Sequence, residues 1–282
     1  MSVHEEYITV DVGKVMKSQK SLILRKMPRF IIRIIERIIY QKELNALLLS
    51  LKDHIGFDFV NGLVNYFEST TDVEGKENLP EHNRLIFVLN HPLGALEGLT
   101  AINWLQKIYP DIKALANNLL TNIKNALPIM LPVNSFGKTD PDSMKKIADA
   151  YKSETNIFTF PAGRVSRIVS GKVRDKVWNK SFVVNARAYQ RKTVPIFIEN
   201  INSKLFYRVY KIRKFLRIKT NLELFLLSHE LFSSKNSVIK MKIGKAIPHT
   251  VFTDNVSEFD WAQKIKEHVY TFQENHNKIF VV

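Results

Sequence analysis

The sequence predicts an α/β fold: a mostly parallel mixed sheet flanked by helices, with an N-terminal helical segment. Three observations predict it. Before residue 70, apolar residues recur at helical spacing. After residue 84, short β-type runs alternate with helical ones. Between the two lies a polar stretch containing Gly75 and Pro80. With 282 residues, 45% of them apolar, the chain can bury a full core.

From Ser21 to Thr70 the chain reads as mainly helical. Pro28 suits the first turn of a helix. After it, Phe30, Ile31, Ile34, Ile35, Ile38 and Ile39 follow helical spacing, and Arg29, Arg33 and Arg37 fall on another line. Further helices are expected near Glu43 to Leu51 and Asp58 to Phe67. Asp72 to Asn83 reads as a loop, dividing a membrane-proximal helical segment, 1–71, from an α/β domain, 84–282.

Beyond the loop, strands are expected at Leu85 to Leu89, Ile112 to Ala116, Ile129 to Val133, Asn156 to Phe160, Val194 to Ile198 and Val238 to Ile243. Pro195 is read as marking the start of its strand. Helices are expected at Leu96 to Ile108, Asp142 to Lys152, Trp178 to Gln190, Lys204 to Phe215, Leu222 to Phe232 and Phe259 to Gln273. Sites in such sheets form at the carboxyl ends of strands, which singles out the loops after Leu89, Val133 and Phe160.

The chain has no cysteine, so disulfides, thiolate metal sites and a cysteine nucleophile are excluded. No basic region followed by an apolar run opens the sequence, so no secretory signal is expected. No stretch reaches the ~18 uninterrupted apolar residues of a spanning helix. The net charge is +15, and between Arg164 and Lys219 sixteen Lys or Arg face two acids, Asp175 and Glu199. A field this concentrated attracts nucleic acid, an anionic bilayer, or an acidic carrier or phosphorylated substrate. A solvated basic surface is the plainer reading.

Asn90-His91-Pro92-Leu93-Gly94-Ala95-Leu96-Glu97 is the sharpest local feature. A histidine follows an apolar strand, in a turn shaped by proline and glycine, and a carboxylate stands six positions on. Histidine can take a proton near neutral pH, with an ordinary pKa of about 6.5. A carboxylate on its other ring nitrogen would fix the tautomer and stabilise the imidazolium. Glu97 also suits a helix N-terminus through the helix dipole. The second feature is Phe160-Pro161-Ala162-Gly163-Arg164-Val165-Ser166-Arg167. Gly163 permits close backbone approach, and Arg164, Ser166 and Arg167 offer donors to an anionic head group. An ordinary turn with surface arginines has the same pattern.

The order of these motifs resembles the glycerolipid acyltransferase family, the lysophosphatidic-acid acyltransferase-like proteins. That family carries His-x4-Asp, a middle acceptor motif, Phe-Pro-Glu-Gly-Thr-Arg-Ser and a Val-Pro strand. The matching positions here are His91, the stretch Pro128 to Gly137, Phe160 to Ser166, and Val194-Pro195. The run Gly171-Lys-Val-Arg-Asp175-x-x-Trp178-x-Lys-Ser-Phe182 looks like a haemolysin-like or amino-acid-lipid O-acyltransferase branch. There are departures. Glu97 lies one position later than the usual Asp, Ala162 replaces the glutamate of the third motif, and its arginine aligns with Val165.

What the resemblance implies is an O-acyltransferase that moves a fatty acyl group from acyl carrier protein or coenzyme A to a hydroxyl of a lyso-lipid or N-acyl amino-acid lipid. His91 would be the general base and Glu97 its orienting partner. Asn90, Gly94, Asn134, Phe160, Pro161, Gly163, Arg164, Ser166 and Arg167 would line the substrate, with backbone N–H groups near Gly163 as oxyanion donors. No metal or other cofactor is expected. Arg29, Arg33, Arg37, Lys211, Arg213 and Lys214 are candidate contacts to an anionic membrane, on its cytoplasmic face. The alternatives are a lysophosphatidic-acid acyltransferase and, of another class, a basic membrane- or nucleic-acid-binding protein without catalysis. No nucleic acid is expected as partner, because no motif for one is present.

Overall fold

A computed structural model describes residues 10–11, 13, 28–81, 84–117, 120, 122–134, 139–217 and 222–281. Parts of several expectations lie outside these residues: 1–9, 12 and 14–27 of the N-terminal segment, with the start read for a secretory signal, 82–83 of the loop, 135–137 of the middle motif, and Lys219 of the basic block.

Three helices come first: α1 (Arg29–Ile38), α2 (Gln41–Ser50) and α3 (Phe57–Tyr66). Then come β1 (Thr70–Glu74), β2 (Leu85–Leu89), α4 (Leu96–Leu105), β3 (Ile112–Asn117), β4 (Met130–Val133), α5 (Pro141–Lys152) and β5 (Asn156–Thr159). A hairpin of β6 (Arg167–Val169) and β7 (Lys172–Arg174) follows. The chain continues through α6 (Ser181–Ala188), β8 (Lys192–Ile198), α7 (Lys204–Phe215), α8 (Leu227–Ser233), β9 (Val238–Ile243) and α9 (Glu258–Thr271).

Seven strands form one sheet in the order β1-β9-β8-β2-β5-β3-β4. Every adjacent pair is parallel except β8 and β9. β2 runs through the middle and is buried along its whole length. Its alternate residues feed two cores, as the two-residue strand period requires. Leu85, Phe87 and Leu89 join the cluster of α3 and α4, while Ile86 and Val88 join that of α6 and α9. Each large apolar side chain so buried contributes about 1.5–3 kcal/mol.

Several expectations need correction. Thr70–Glu74 is a strand that pairs with β9, although the sequence reads as loop from Asp72. Its one apolar residue, Val73, is only half-buried. An edge strand is bonded on one side and carries little of the core, so polar residues suit it. Pro195 stands inside β8, not at its start. Pairing with β9 shifts by one residue between Ile196↔Ile243 and Thr193↔Ile247, and a proline without an N–H is tolerated at such a bulge. The β6–β7 hairpin turns through Ser170 and Gly171, both at positive φ, a two-residue turn the sequence reading missed. The helix expected from Trp178 begins at Ser181, because Trp178 is drawn inward by Asp175 and Gln263. The helix expected from Leu222 is a 3-10 turn, Leu222–Leu226, leading into α8.

Asn side chains extend the central pairing at both ends of β2. Asn156 Oδ1 accepts the Leu85 N–H at 3.0 Å. At the other end, Asn90 accepts from the Ile198 N–H at 2.7 Å and donates to its carbonyl at 2.9 Å. The carboxyl end of β2 is thereby locked to β8, which sets where the next residue, His91, leaves the sheet.

Candidate active site

His91 sits immediately beyond β2, on the side of the sheet where the sequence places its loops. Its side chain is 16% exposed, and the Glu97 side chain is fully buried. Nδ1 of His91 lies 2.9 Å from Glu97 Oε1. The same oxygen accepts the N–H groups of Leu93 at 2.9 Å and Gly94 at 2.7 Å. Glu97 thus stands in the first turn of α4 and also meets the imidazole. The longer side chain and the extra residue are absorbed in the turn. Gly94 makes this possible at φ +100°, where a Cβ would come within 2.8 Å of Val165 and 2.9 Å of Leu227.

Burial pushes the Glu97 carboxyl up. The charge and hydrogen bond of His91 and the two amides outweigh it, and the net shift is below the ordinary 4.5. An ionised carboxylate only accepts, so Nδ1 carries the proton and Nε2 presents its lone pair. Phe160 stacks on the imidazole with centroids 4.1 Å apart and planes 21° apart. The ring is thus held by a carboxylate at one edge and an aromatic wall on one face. Gly98 on α4 leaves room for that wall, since a Cβ there would lie 3.2 Å from Phe160.

The backbone of His91 is held as firmly as its ring. Its carbonyl accepts the Ser166 N–H at 2.7 Å, and its N–H donates to Asp175 Oδ1 at 3.3 Å. Asp175 also accepts from the Ser166 hydroxyl at 2.5 Å and the Trp178 indole at 2.8 Å. Burial holds its carboxyl above the ordinary range, opposed by these hydrogen bonds and by His91. The third motif thus packs beside the first, and the Asp-x-x-Trp run locks the two together.

Four of the expected substrate contacts have other roles. Asn90 is buried and both ends of its amide are taken by Ile198. Ser166 is buried with its hydroxyl on Asp175. Arg167 is buried, donates to the carbonyls of Val165 and Ser166, and pairs with Glu223. The Gly163 N–H closes a turn on the Phe160 carbonyl at 2.9 Å, so it is not a free oxyanion donor. Pro161 is buried and accepts from the Asn179 N–H. Asn134 follows β4, at the sheet edge, with β3 and β5 between it and β2.

Arg164 is exposed, and open space lies beside Gly163. Lys176 joins Arg164 in one basic neighbourhood. Its ammonium is held below the ordinary value by burial and by Lys214, Arg167, Arg164 and Arg213. Sequence reasoning missed Lys176, Glu223 and the role of Asp175; only the Asp-x-x-Trp pattern signalled the last. Among the membrane candidates, Arg213 is corrected. It is buried, with Nε 2.7 Å from Glu223, whereas Lys211 and Lys214 on the same helix are exposed. Arg29, Arg33 and Arg37 are exposed on α1 beside a second exposed line of Phe30, Ile34 and Ile38. No helix among the described residues is long and apolar enough to cross a membrane. No cluster of three potential metal ligands occurs among them either.

The arrangement can deprotonate an alcohol beside an activated carbonyl: a base with a fixed tautomer, a buried carboxylate behind it, and a basic rim. Comparison with known proteins agrees with that chemistry. An acyltransferase family model matches residues 14–277. A lyso-glycine lipid O-acyltransferase of Phocaeicola vulgatus is 33% identical over 262 residues, covering 93% of this chain and 94% of that protein. Its namesake in Bacteroides thetaiotaomicron is 31% identical over 262 residues, with 93% and 96% covered. The crystal structure of a 1-acyl-sn-glycerophosphate acyltransferase from Thermotoga maritima covers 89% of this chain and 86% of its own, at 14% identity and a TM-score of 0.48. With the family model spanning nearly the whole chain and two O-acyltransferase relatives aligned over 93% of it, one conclusion follows: the chain belongs to this acyltransferase family and is an enzyme that transfers acyl groups.

Proposed function

We propose that the protein is an O-acyltransferase that moves a fatty acyl group from an acyl thioester to the hydroxyl of an N-acyl amino-acid lipid, a lyso-glycine lipid in particular. The single observation that carries the chemistry is the 2.9 Å contact between His91 Nδ1 and buried Glu97. Nε2 removes the acceptor hydroxyl proton as that oxygen attacks the thioester carbonyl. The tetrahedral intermediate collapses, the carbon–sulfur bond breaks, and the thiolate recovers the proton from the imidazolium. Glu97 stabilises that imidazolium while it exists.

Two features support an amino-acid lipid as acceptor over lysophosphatidic acid. Both bacterial relatives are lyso-glycine lipid O-acyltransferases. Where the wider family resembled here carries arginine, Val165 is buried among Phe206, Tyr207 and Leu226, with no cation for a phosphate at that position. Arg164 and Lys176 suit a carboxylate head group or the anionic portion of the donor, which is acyl carrier protein or coenzyme A. No nucleic acid is needed to explain the basic block.

The protein works at the cytoplasmic face of the membrane, held peripherally. On α1, exposed Phe30, Ile34 and Ile38 run beside Arg29, Arg33 and Arg37. On α7, Phe215 is 86% exposed beside Lys211 and Lys214. Apolar side chains flanked by basic ones suit the head-group boundary of an anionic bilayer.

The test is lipid extraction from cells with and without the protein, as wild type and His91→Ala, analysed by mass spectrometry. Wild type converts a mono-acylated amino-acid lipid into its di-acylated form. His91→Ala loses the conversion by about 100-fold or more while remaining folded by circular dichroism. Full expression without any lipid change overturns the proposal.

A further inference from the structure

We propose that Asp175 is a positioning residue for His91: it fixes the strand-end turn through the His91 N–H, and its charge adds to that of Glu97 in stabilising the imidazolium. The proposal rests on the reading of His91 as the base.

Asp175 ties its own stretch of chain to two segments far away in sequence, the turn after β2 and α9. It receives the His91 N–H from the turn after β2, the Ser166 hydroxyl from the loop after β5, and the Trp178 indole from its own segment. Its own N–H donates to the Tyr270 hydroxyl on α9 at 2.6 Å. A peptide N–H and an indole N–H can only donate, so each oxygen of Asp175 must accept from one of them. The 2.5 Å separation from the Ser166 oxygen is that of a hydroxyl bound to a carboxylate.

Burial alone opposes the charge, and what offsets burial is the two side-chain hydrogen bonds and His91. A neutral amide could not take its place, because its NH2 would face one of the two N–H donors, so the two bonds call for a carboxylate. A charge there is useful to a ring that becomes positive. Glu97 spreads its accepting oxygen over His91 and two amides, so a second anion adds to what it supplies. The other charged or titratable groups around the pair are few. Tyr270 is pushed up by burial and by Asp175 itself, against Arg174, and Arg167 shares Glu223 with Arg213.

The decisive measurement is titration of the His91 imidazole by NMR in histidine-labelled protein, its signal identified by its loss in His91→Ala. Removing a neighbouring negative charge makes the imidazolium less stable. Asp175→Asn therefore lowers the His91 midpoint by about one pH unit. The acidic limb of the kcat profile moves down with it, kcat falls about 10-fold or more, and KM stays within about twofold. A kcat loss with an unmoved His91 midpoint means a structural link only and overturns the proposal. Should Asp175→Asn not fold, Ser166→Ala keeps the charge and removes one donor. The His91 signal then shows an acidic inflection at higher pH than in wild type, as Asp175 protonates more easily. A signal blind to Ser166→Ala also overturns the proposal. The titration needs no acyl donor or acceptor, so it stands or falls separately from the lipid assay.

Discussion

Oε1 of Glu97 accepts three donors, and that load decides what its substitution does. Glu97→Gln keeps an acceptor for the two amides but loses the charge that stabilises the imidazolium. Acyl transfer should fall about 100-fold or more in initial-rate measurements. The same substitution changes acid stability. The carboxyl of Glu97 is held below 4.5 in the folded protein, so its contribution is fully present above that pH. It is lost as pH falls through the lower folded value. Urea midpoints between pH 7 and pH 3 should therefore drop less steeply in Glu97→Gln than in wild type. At this scale the reactive pair was legible in the sequence, because a turn confines both partners within six residues. Arg164 and Arg167 were not separable there. Three positions apart in one motif, one is exposed and the other buried, because the partner of Arg167 lies 56 residues away.

That partner, Glu223, shapes a whole element. It meets Arg167 at 3.2 Å and Arg213 at 2.7 Å, and it is fully buried. It ties the C-terminal half of α7 and the turn after it to the loop that carries Phe160. Glu223→Ala removes the buried carboxylate that Arg167 and Arg213 share, and destabilisation of about 3–5 kcal/mol is expected in denaturant melts. α1 carries the opposite kind of residue, with no side chain buried. Replacing Arg29, Arg33 and Arg37 by Gln should leave the melt unchanged within about 0.5 kcal/mol. Binding to anionic vesicles should weaken by up to about 1 kcal/mol per removed charge, read in a sedimentation assay. Helices and central strands were readable because period and apolarity are local. β1 and the β6–β7 hairpin were not, since one is a polar edge and the other rests on a two-residue turn.

Across the molecule, the N-terminal helices and the sheet share a core. Phe59, Val60 and Leu63 of α3 lie in one apolar cluster with Leu85 and Phe87 of β2 and Ile239 of β9. Tyr40, between α1 and α2, stacks on His229 and Phe232 of α8. α8 in turn covers the reactive turn, where Leu227 faces Gly94. Phe59→Ala should lower stability by about 3–5 kcal/mol. It should move a single unfolding transition rather than split it, since the cavity opens in the shared core. Two well-separated transitions would mark the helical segment as an independent unit.

The amino-acid order alone determined the alternation of elements, the place of the reactive loop after a central strand, and the pairing of His91 with Glu97. Each of these depends on neighbours within a few residues. Only tertiary structure decided which polar residues face the reaction. Asn90, Ser166 and Arg167 look like ligand donors in the sequence and are taken up by Ile198, Asp175 and Glu223. A buried polar group must find a partner wherever the fold brings one, and burial is a property of packing between distant segments that no local pattern encodes.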